Sequence, residues 1–280
     1  MNQTDLSDRE FKLFRDIVYE KGGINLHEGK KELVRARIGK RIRQIGLSSF
    51  KDYYEYMVSD DSGHELTQFL DAISTNLTSF FREKKHFDYL ESDVLPEIIT
   101  KEKIDGTNTI KVWSAGCSTG EEPYSLSICL SEFLLKHPEA RMWDFKILAT
   151  DLSTKVLRTA EMGIFHKKRI ENIDRAILKK YFQIGQNNWV DHFRIKRQIR
   201  SRIEFKRFNL IEAFPEYNKF AVIFCRNVMI YFDKKIQEQL VNKFYNCLIK
   251  GGHLFIGHSE SLMGIKHEFT YVKPTVYRKL

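Results

Sequence analysis

Four short apolar runs, each ended by polar or glycine residues, recur after residue 110 with helix-like segments between them. They read IKVWSAG, FKILATD, FAVIFCRN and GGHLFIGHS, and they begin at residues 110, 145, 220 and 251. Short apolar runs that alternate with helices are typical of a parallel sheet covered by helices. The sequence therefore predicts an α/β fold with a doubly wound, mostly parallel sheet. A last run, FTYVKPTVYRKL, is predicted to add edge strands.

Two other regions differ from this pattern. From Ser7 to Ile73 apolar residues recur at helical spacing, which predicts an all-helical N-terminal domain over residues 1–75. Residues 76–109 are predicted to link it to the sheet domain at 110–280. The second and third apolar runs lie too far apart for a simple helical crossover, and WVDHFRIKRQI and IEFKRF alternate between them. A small antiparallel β-subdomain is therefore predicted as an insertion over residues 163–208.

Composition favours a cytoplasmic protein that does not insert into a membrane, and a monomer is expected. The chain has 280 residues, of which 42% are hydrophobic, enough to bury a large core. We find neither an apolar signal segment nor a run near the ~20 apolar residues of a membrane span. The cysteines form no CxxC pair and have no histidine at metal-ligand spacing, so no bound metal is predicted. They are Cys117, Cys129, Cys225 and Cys247.

Basic residues give the chain a net charge of +9 and concentrate in two segments. Residues 30–43 hold seven Lys or Arg against one acid, and residues 163–207 hold thirteen against four. On a helix through the first segment, Lys30, Arg37 and Arg41 project from one stripe. The stripe is interpreted either as a docking surface for an acidic partner or as a solvated face.

The loop AGCSTGEEPY, at residues 115–124, joins the first apolar run to a helix. Free N–H groups at a helix start favour anions, yet Glu121 and Glu122 argue against a phosphate there. No Lys-Ser/Thr pair follows Gly120 as in a P-loop, and the third glycine of the dinucleotide fingerprint is missing after Gly116. We therefore predict a positively charged ligand without phosphate. One of the two glutamates is expected only to complement the helix dipole.

Polar residues at two further strand ends extend this ligand site. Asp151 ends the second run, where it can accept both hydroxyls of a ribose, although an Asp there can also be a turn or helix cap. Asn227 ends the third run and offers groups that can read an adenine or an amino acid moiety. Gly251 and Gly252 are interpreted as a helix terminator. This order resembles the Rossmann-like class I methyltransferases, whose S-adenosyl-L-methionine carries sulfonium and ammonium charges.

A more specific resemblance covers nearly the whole chain. TNLTSFFRE at residues 75–83, GCSTGEEPYS, ATDLS, FNL, FCRNVMIYFD and GHSES are similar to motifs of the CheR-type chemotaxis receptor methyltransferases. The resemblance implies methyl-ester formation on glutamate side chains of membrane chemoreceptors, with S-adenosyl-L-homocysteine as the other product. The cofactor contacts that it implies, together with Gly116 of the loop, are Asn76, Thr78, Arg82, Glu122, Asp151, Asn209, Leu210, Asn227 and Val228.

Such a reaction needs little catalytic equipment. A glutamate carboxylate, with a usual pKa near ~4.3, is already ionised at pH 7, so no general base is required. Arg82 is predicted to orient the incoming carboxylate, and Tyr231 to hold it by one hydrogen bond. The alternatives are a salt bridge between linker and sheet domain for Arg82 and core packing for Tyr231.

The resemblance also gives the basic stripe a role, since Lys30, Arg37 and Arg41 are predicted to dock the acidic methylation helices of the receptor. Some relatives grip a receptor C-terminal tether peptide with the β-subdomain. The turn IGQNNWVDHF has Gly185 as its only glycine, which argues against tether binding but leaves the tether peptide open as a partner. An RNA or DNA methyltransferase is one alternative, although RNVM replaces the (D/N)PPY strand end, and we expect no nucleic acid partner. A non-catalytic sensor of S-adenosylmethionine is another.

Overall fold

The computed structural model describes residues 5–100, 107–214 and 219–280. Four helices at the N-terminus enclose an aromatic core in which Phe14 and Tyr53 are fully buried. The first helix begins with a capping box formed by Ser7 and Glu10. The helices of this region are α1 Asp8–Gly22, α2 Lys31–Gln44, α3 Phe50–Val58 and α4 His64–Ile73.

Seven further helices accompany the strands in the described part of the chain. They are α5 Lys85–Tyr89, α6 Leu95–Ile99, α7 Glu121–Lys136, α8 Thr154–Met162, α9 Arg175–Tyr181, α10 Arg197–Arg200 and α11 Lys234–Cys247. A π-helical turn, Leu90–Val94, joins α5 to α6. No helix in the ranges described is both long and apolar enough to span a lipid bilayer.

Ten strands in the described residues form two sheets. They are β1 Thr109–Ala115, β2 Asp144–Asp151, β3 Ile164–His166, β4 Phe182–Ile184, β5 His192–Ile195, β6 Ile203–Arg207, β7 Phe220–Cys225, β8 Leu248–Ile256, β9 Thr270–Lys273 and β10 Val276–Arg278. The larger sheet has the order β6-β2-β1-β7-β8-β10-β9, and its first five strands are parallel. This confirms the predicted fold class, and the last apolar run adds β10 and the edge strand β9.

The order of the parallel strands fixes where a ligand can bind. From β1 the chain winds outward through β2 to β6 and then returns to β7 on the other side of β1. The direction of winding therefore reverses between β1 and β7, and a crevice opens outside their carboxyl ends.

The smaller sheet is antiparallel, in the order β3-β5-β4, as predicted for the inserted segment. Phe165 and Phe182 of this sheet pack against Phe80, with ring centroids 4.9 and 5.7 Å apart. The domain boundaries at 1–75, 76–109 and 110–280 stay a prediction, and residues 101–106 of the linker lie outside the described residues.

Two local predictions were wrong. The segment IEFKRF was expected in the antiparallel subdomain, but β6 pairs in parallel with β2 at the edge of the main sheet. Alternation of apolar and polar residues predicts a strand and does not identify its partner. The glycine pair does not terminate a helix, because α11 ends at Cys247 and both glycines lie within β8. A Cβ on Gly252 would lie 3.2 Å from the Ala221 carbonyl oxygen, where the register against β7 shifts.

Candidate active site

A cleft of about 310 Å³ lies outside the carboxyl ends of β1, β2 and β7. The fold brings most of the predicted site residues into its lining, although they come from distant parts of the sequence. The predicted residues in the lining are Lys30, Asn76, Thr78, Arg82, Gly116, Glu122, Asp151, Asn209, Leu210, Asn227, Val228 and Tyr231. Arg37 and Arg41 are outside it. The contact of each residue with a ligand stays a prediction.

Gly116 allows the ends of β1 and β7 to approach each other. Its φ is +81°, in the left-handed region, and a Cβ at this position would collide with Cγ2 of Val228. The N–H groups of Gly116 and Cys117 donate to the Thr150 carbonyl at 2.8 and 2.9 Å. The first loop is therefore packed against the ends of both neighbouring strands.

The two glutamates of this loop have different surroundings. Glu121 is fully buried, forms an ion pair with Arg169 at 3.2 Å and accepts a hydrogen bond from Thr119 at 2.6 Å. Glu122 lines the cleft, and its Oε1 accepts a hydrogen bond from Ser114 at 2.6 Å. Burial raises the pKa of Glu122, and the nearby Arg226 opposes that shift. Glu122 is thus the carboxylate of the pair that faces the cleft.

Asp151 is held at the end of β2 by main-chain donors. Its Oδ2 accepts from the N–H of Ser118 at 2.8 Å, and its Oδ1 accepts from the N–H of Ser153 at 2.9 Å. Burial raises the pKa of this carboxyl, while these two donors oppose the shift. Each carboxylate oxygen can accept a further hydrogen bond, as two ribose hydroxyls would require.

The segment 76–83 forms a wall of the cleft and is tied to the sheet domain at several points. The carbonyl of Asn76 accepts from Ser118 Oγ at 2.9 Å, and the N–H of Phe81 donates to Ser125 Oγ at 2.9 Å. The carbonyl of Thr78 accepts from Arg169 at 3.1 Å. These three hydrogen bonds join the segment to the loop after β1, to α7 and to Arg169.

The backbone on both sides of Arg82 is strained. Phe81 and Glu83 have φ values of +50° and +55°, which non-glycine residues rarely adopt and which tend to occur at functional sites. The Arg82 guanidinium donates through Nη1 to the Leu77 carbonyl at 3.0 Å and lines the cleft. Among the described residues it forms no ion pair with a carboxylate, so the predicted alternative of a salt bridge is not seen there.

Arg226 is a residue of this site to which the sequence analysis gave no role. Its side chain is 2% exposed and pairs with Glu83 at 2.9 Å and with Glu122 at 3.3 Å. It also donates to the Arg82 carbonyl. Both Glu83 and Arg226 stood within quoted motifs, but burial and pairing of a charge are not visible in a motif.

Glu260 was also missed. It is 8% exposed, and its carboxylate accepts from the N–H groups of Asn227 at 3.0 Å, Gly257 at 2.6 Å and Ile230 at 3.3 Å. Asn227 has a φ of +59°. Glu260 therefore fixes the turn after β7 that points Asn227 toward the cleft.

The N-terminal helical region contributes a wall of the cleft through residues 24–27. The side-chain amide of Asn209 donates to the Lys21 carbonyl at 2.7 Å, and the Asn25 N–H donates to the Tyr231 carbonyl at 2.7 Å. Tyr19 adds a hydrogen bond to Asp233 at 2.6 Å. Asn209 thus joins α1 to the cleft, a role that the sequence did not suggest.

The predicted basic stripe is divided by the fold. Arg41 is paired with Glu65, which is 2% exposed and also accepts from Tyr53 at 2.8 Å. Arg37 donates to carbonyls at the end of α4, including that of Ser74 at 2.8 Å. Lys30 is exposed and lines the cleft. A helical pattern shows which side chains share one face of a helix. It does not show which neighbouring helix those side chains contact.

Glu83, His86 and His258 bring three potential metal-ligand atoms within 4.8 Å of one another. The Glu83 carboxylate is already engaged, because Oε2 accepts from Arg226 and Oε1 accepts from the His258 N–H at 3.1 Å. Burial and the Arg226 charge lower the pKa of His86 to about 4. The cluster is therefore better described as part of the support beneath the cleft than as a metal centre.

The fold and the cleft together define a class of protein. Two carboxylates line the cleft near the glycine turn, Glu122 at the start of α7 and Asp151 at the end of β2. The loop between β1 and α7 has no lysine of the kind found in phosphate-binding loops. This donor set fits a nucleoside with positive charge and two ribose hydroxyls. The fold and this donor set are those predicted for a class I S-adenosyl-L-methionine-dependent methyltransferase.

Comparison with known proteins gives the family. The family model described as "CheR methyltransferase, SAM binding domain" matches residues 76–278, and "CheR methyltransferase, all-alpha domain" matches residues 9–74. The chain belongs to the CheR methyltransferase family, and its cofactor is S-adenosyl-L-methionine.

Named relatives are similar to the chain over most of its length. The "Chemotaxis protein methyltransferase" of Borreliella burgdorferi is 41% identical over 94% of this chain and 91% of its own. The "Probable chemotaxis protein methyltransferase" of Rhizobium etli is 37% identical over 94% of this chain and 96% of its own. The "Chemotaxis protein methyltransferase" of Salmonella typhimurium is 35% identical over 97% of this chain and 90% of its own.

Proposed function

We propose that the protein transfers methyl groups from S-adenosylmethionine to glutamate side chains in the cytoplasmic helices of chemoreceptors, forming methyl esters. The relatives are named chemotaxis protein methyltransferases, which supports a methyl acceptor in the chemotaxis system. One observation supports a carboxylate as the methyl acceptor. The Arg82 guanidinium lines the cleft, and the backbone on both sides of Arg82 is strained. A guanidinium is the group best suited to hold a carboxylate by two parallel hydrogen bonds.

The chain's own residues need only bind, orient and exclude water. When bound, the cofactor supplies a methyl group on sulfonium, so transfer forms an O–CH₃ bond to the carboxylate, breaks the S–CH₃ bond and leaves a neutral thioether. Arg82 orients the acceptor carboxylate, and Tyr231 donates one hydrogen bond to it. The acceptor is already ionised, and alignment of the reacting atoms accounts for most of the rate. Removing water from the carboxylate adds to this effect.

The function is tested by incubating the full chain with methyl-labelled cofactor and receptor-bearing membranes, with RNA in a parallel reaction. Labelled receptor is then treated with mild alkali, which hydrolyses carboxyl methyl esters and releases methanol. We expect alkali-labile label in the receptor and none in RNA. A receptor in which the acceptor glutamates are replaced by alanine serves as the control.

Other outcomes would reassign the function. Alkali-stable label would indicate a nitrogen acceptor, and label only in RNA would indicate a nucleic acid substrate. Cofactor binding without any transfer would favour a sensor. Each of these outcomes contradicts methyl-ester formation on the receptor.

Substitutions of Arg82 and Tyr231 test the proposed orientation of the acceptor. We expect Arg82→Met to lower kcat/KM for the receptor about 100-fold or more, because the acceptor loses its charged partner. Tyr231→Phe removes one hydrogen bond and is expected to cost about tenfold. Steady-state kinetics with labelled cofactor give both values, and unchanged turnover would remove that residue from the active site.

A further inference from the structure

Arg226 follows β7 and lies beneath the cleft with only 2% of its side chain exposed. Its Nε and Nη2 donate to Glu83 Oε2 at 3.1 and 2.9 Å, and its Nη1 donates to Glu122 Oε2 at 3.3 Å. Nη2 also donates to the Arg82 carbonyl. One guanidinium thus contacts two segments, the loop at 82–83 and the start of α7.

Aromatic rings hold the same guanidinium in place. The centroids of Phe87 and Phe224 lie 5.7 and 5.6 Å from its central carbon. A buried cation with carboxylates and aromatic faces around it has one well-defined position, because any movement would leave a buried charge unpaired. The position of the Arg226 guanidinium therefore determines the positions of the groups that it contacts.

We propose that Arg226 is a positioning residue that fixes the Glu122 carboxylate and the main chain of Arg82 relative to each other. A guanidinium has five donors in one plane, so it can hold both groups at a set separation. A lysine would keep the charge but could not span both. The effect on Glu122 concerns cofactor binding alone, whereas the effect of Arg82 on the acceptor carboxylate rests on the proposed function.

The charge on Glu122 gives a second readout. Burial raises the pKa of this carboxyl, and Arg226 is the strongest opposing influence. The other groups that face Glu122 are Ser114, Glu83, Arg82 and the thiols of Cys117 and Cys225. Without Arg226 the carboxyl would take up its proton at a higher pH. Binding of a cationic ligand, which needs the ionised form, would then fail at a higher pH.

The test uses Arg226→Met and Arg226→Lys in the full chain, with S-adenosylhomocysteine binding measured by calorimetry across a pH series. This product keeps the ammonium group of the cofactor and needs no methyl acceptor. We expect Arg226→Met to weaken binding about 10- to 100-fold and to move the acid limit of binding upward. We expect Arg226→Lys to restore the acid limit toward wild type while kcat for the receptor stays low.

Arg202→Met is the control for loss of a paired arginine. Arg202 pairs with Asp144 and lies over the ring of Phe145 at 5.4 Å, away from the cleft, and its side chain is 40% exposed. It should leave binding and its pH dependence unchanged. Wild-type affinity and an unmoved acid limit in a folded Arg226→Met would overturn the proposal. Failure of the receptor assay alone would leave this binding result intact and would count only against the proposed function.

Removal of a buried cation can prevent folding, so Glu83→Gln provides a second test. This variant keeps Arg226 and its contact with Glu122. It removes the negative charge of Glu83, which pairs with Arg226 in the 82–83 loop. We expect kcat for the receptor to fall about tenfold and product affinity to fall less than in Arg226→Met, because the contact between Arg226 and Glu122 is kept and the Arg82 side of the arrangement is loosened. Wild-type kcat in this variant would contradict a positioning role through Arg82.

Discussion

Neighbouring side chains in this protein have separate roles, as Glu121 and Glu122 show at the scale of single residues. Glu121 is buried and pairs with Arg169. Glu122 lines the cleft and contacts Ser114 and Arg226. We expect Glu122→Gln to weaken binding of S-adenosylhomocysteine about 10- to 100-fold, because a charge-assisted hydrogen bond becomes a neutral one. Calorimetry at pH 7.5 measures the change.

Glu121→Gln is the control at the adjacent position. It loses the ion pair between the buried Glu121 carboxylate and the partly exposed Arg169, so its melting temperature should fall while its product affinity stays close to wild type. The reverse result, with Glu121→Gln defective in binding and Glu122→Gln normal, would show that the other carboxylate serves the ligand.

At the scale of secondary structure, the site depends on close contact between the ends of β1 and β7. Gly116→Ala would place a methyl group against Val228 and a side chain on a backbone with a φ of +81°. We expect the free energy of unfolding to fall by about 2–4 kcal/mol, the sum of strain and crowding, and product binding to weaken. Chemical denaturation and calorimetry measure the two effects.

Gly46→Ala separates strain from crowding. Gly46 has a φ of +76° but nothing within 4 Å of an added Cβ. It should lose only the strain energy of about 1–2 kcal/mol and keep full product affinity. Equal losses in the two variants would mean that the contact between the strand ends does not matter.

At the scale of the whole molecule, the N-terminal helices and the sheet domain enclose the cleft together. Lys30 is the member of the predicted basic stripe that is exposed at the cleft, since Arg37 and Arg41 are held by groups of their own region. We propose that Lys30 contributes to docking of an acidic receptor helix. Lys30→Glu should raise KM for the receptor about threefold to tenfold at low salt, with a smaller effect at high salt.

Lys40→Glu makes the same charge change on an exposed side chain of α2 that is not in the cleft lining. It should change KM much less. Product affinity is measured for both variants, so that lost cofactor binding is not mistaken for lost docking. If Lys30→Glu and Lys40→Glu behave alike, docking responds to net charge and not to a defined surface.

The sequence alone determined the fold class, the order of strand and helix and the strand-end residues Asp151 and Asn227 that line the cleft. These follow from local causes. The period of apolar residues sets the element type, and polar residues at the ends of parallel strands meet at one edge whatever the rest of the chain does. Asp151 and Asn227 could be assigned to one crevice for that reason.

Only the tertiary structure decided which groups are paired and which are free. The alternating pattern of Ile203–Arg207 did not identify β2 as the partner strand. The basic pattern of α2 did not reveal that Arg41 forms an ion pair with Glu65. The role of Arg226 depends on burial and on contacts with residues more than a hundred positions away, since it is 143 residues from Glu83. Such contacts exist only after the chain has folded, because the pairing of a charge depends on its neighbours in space.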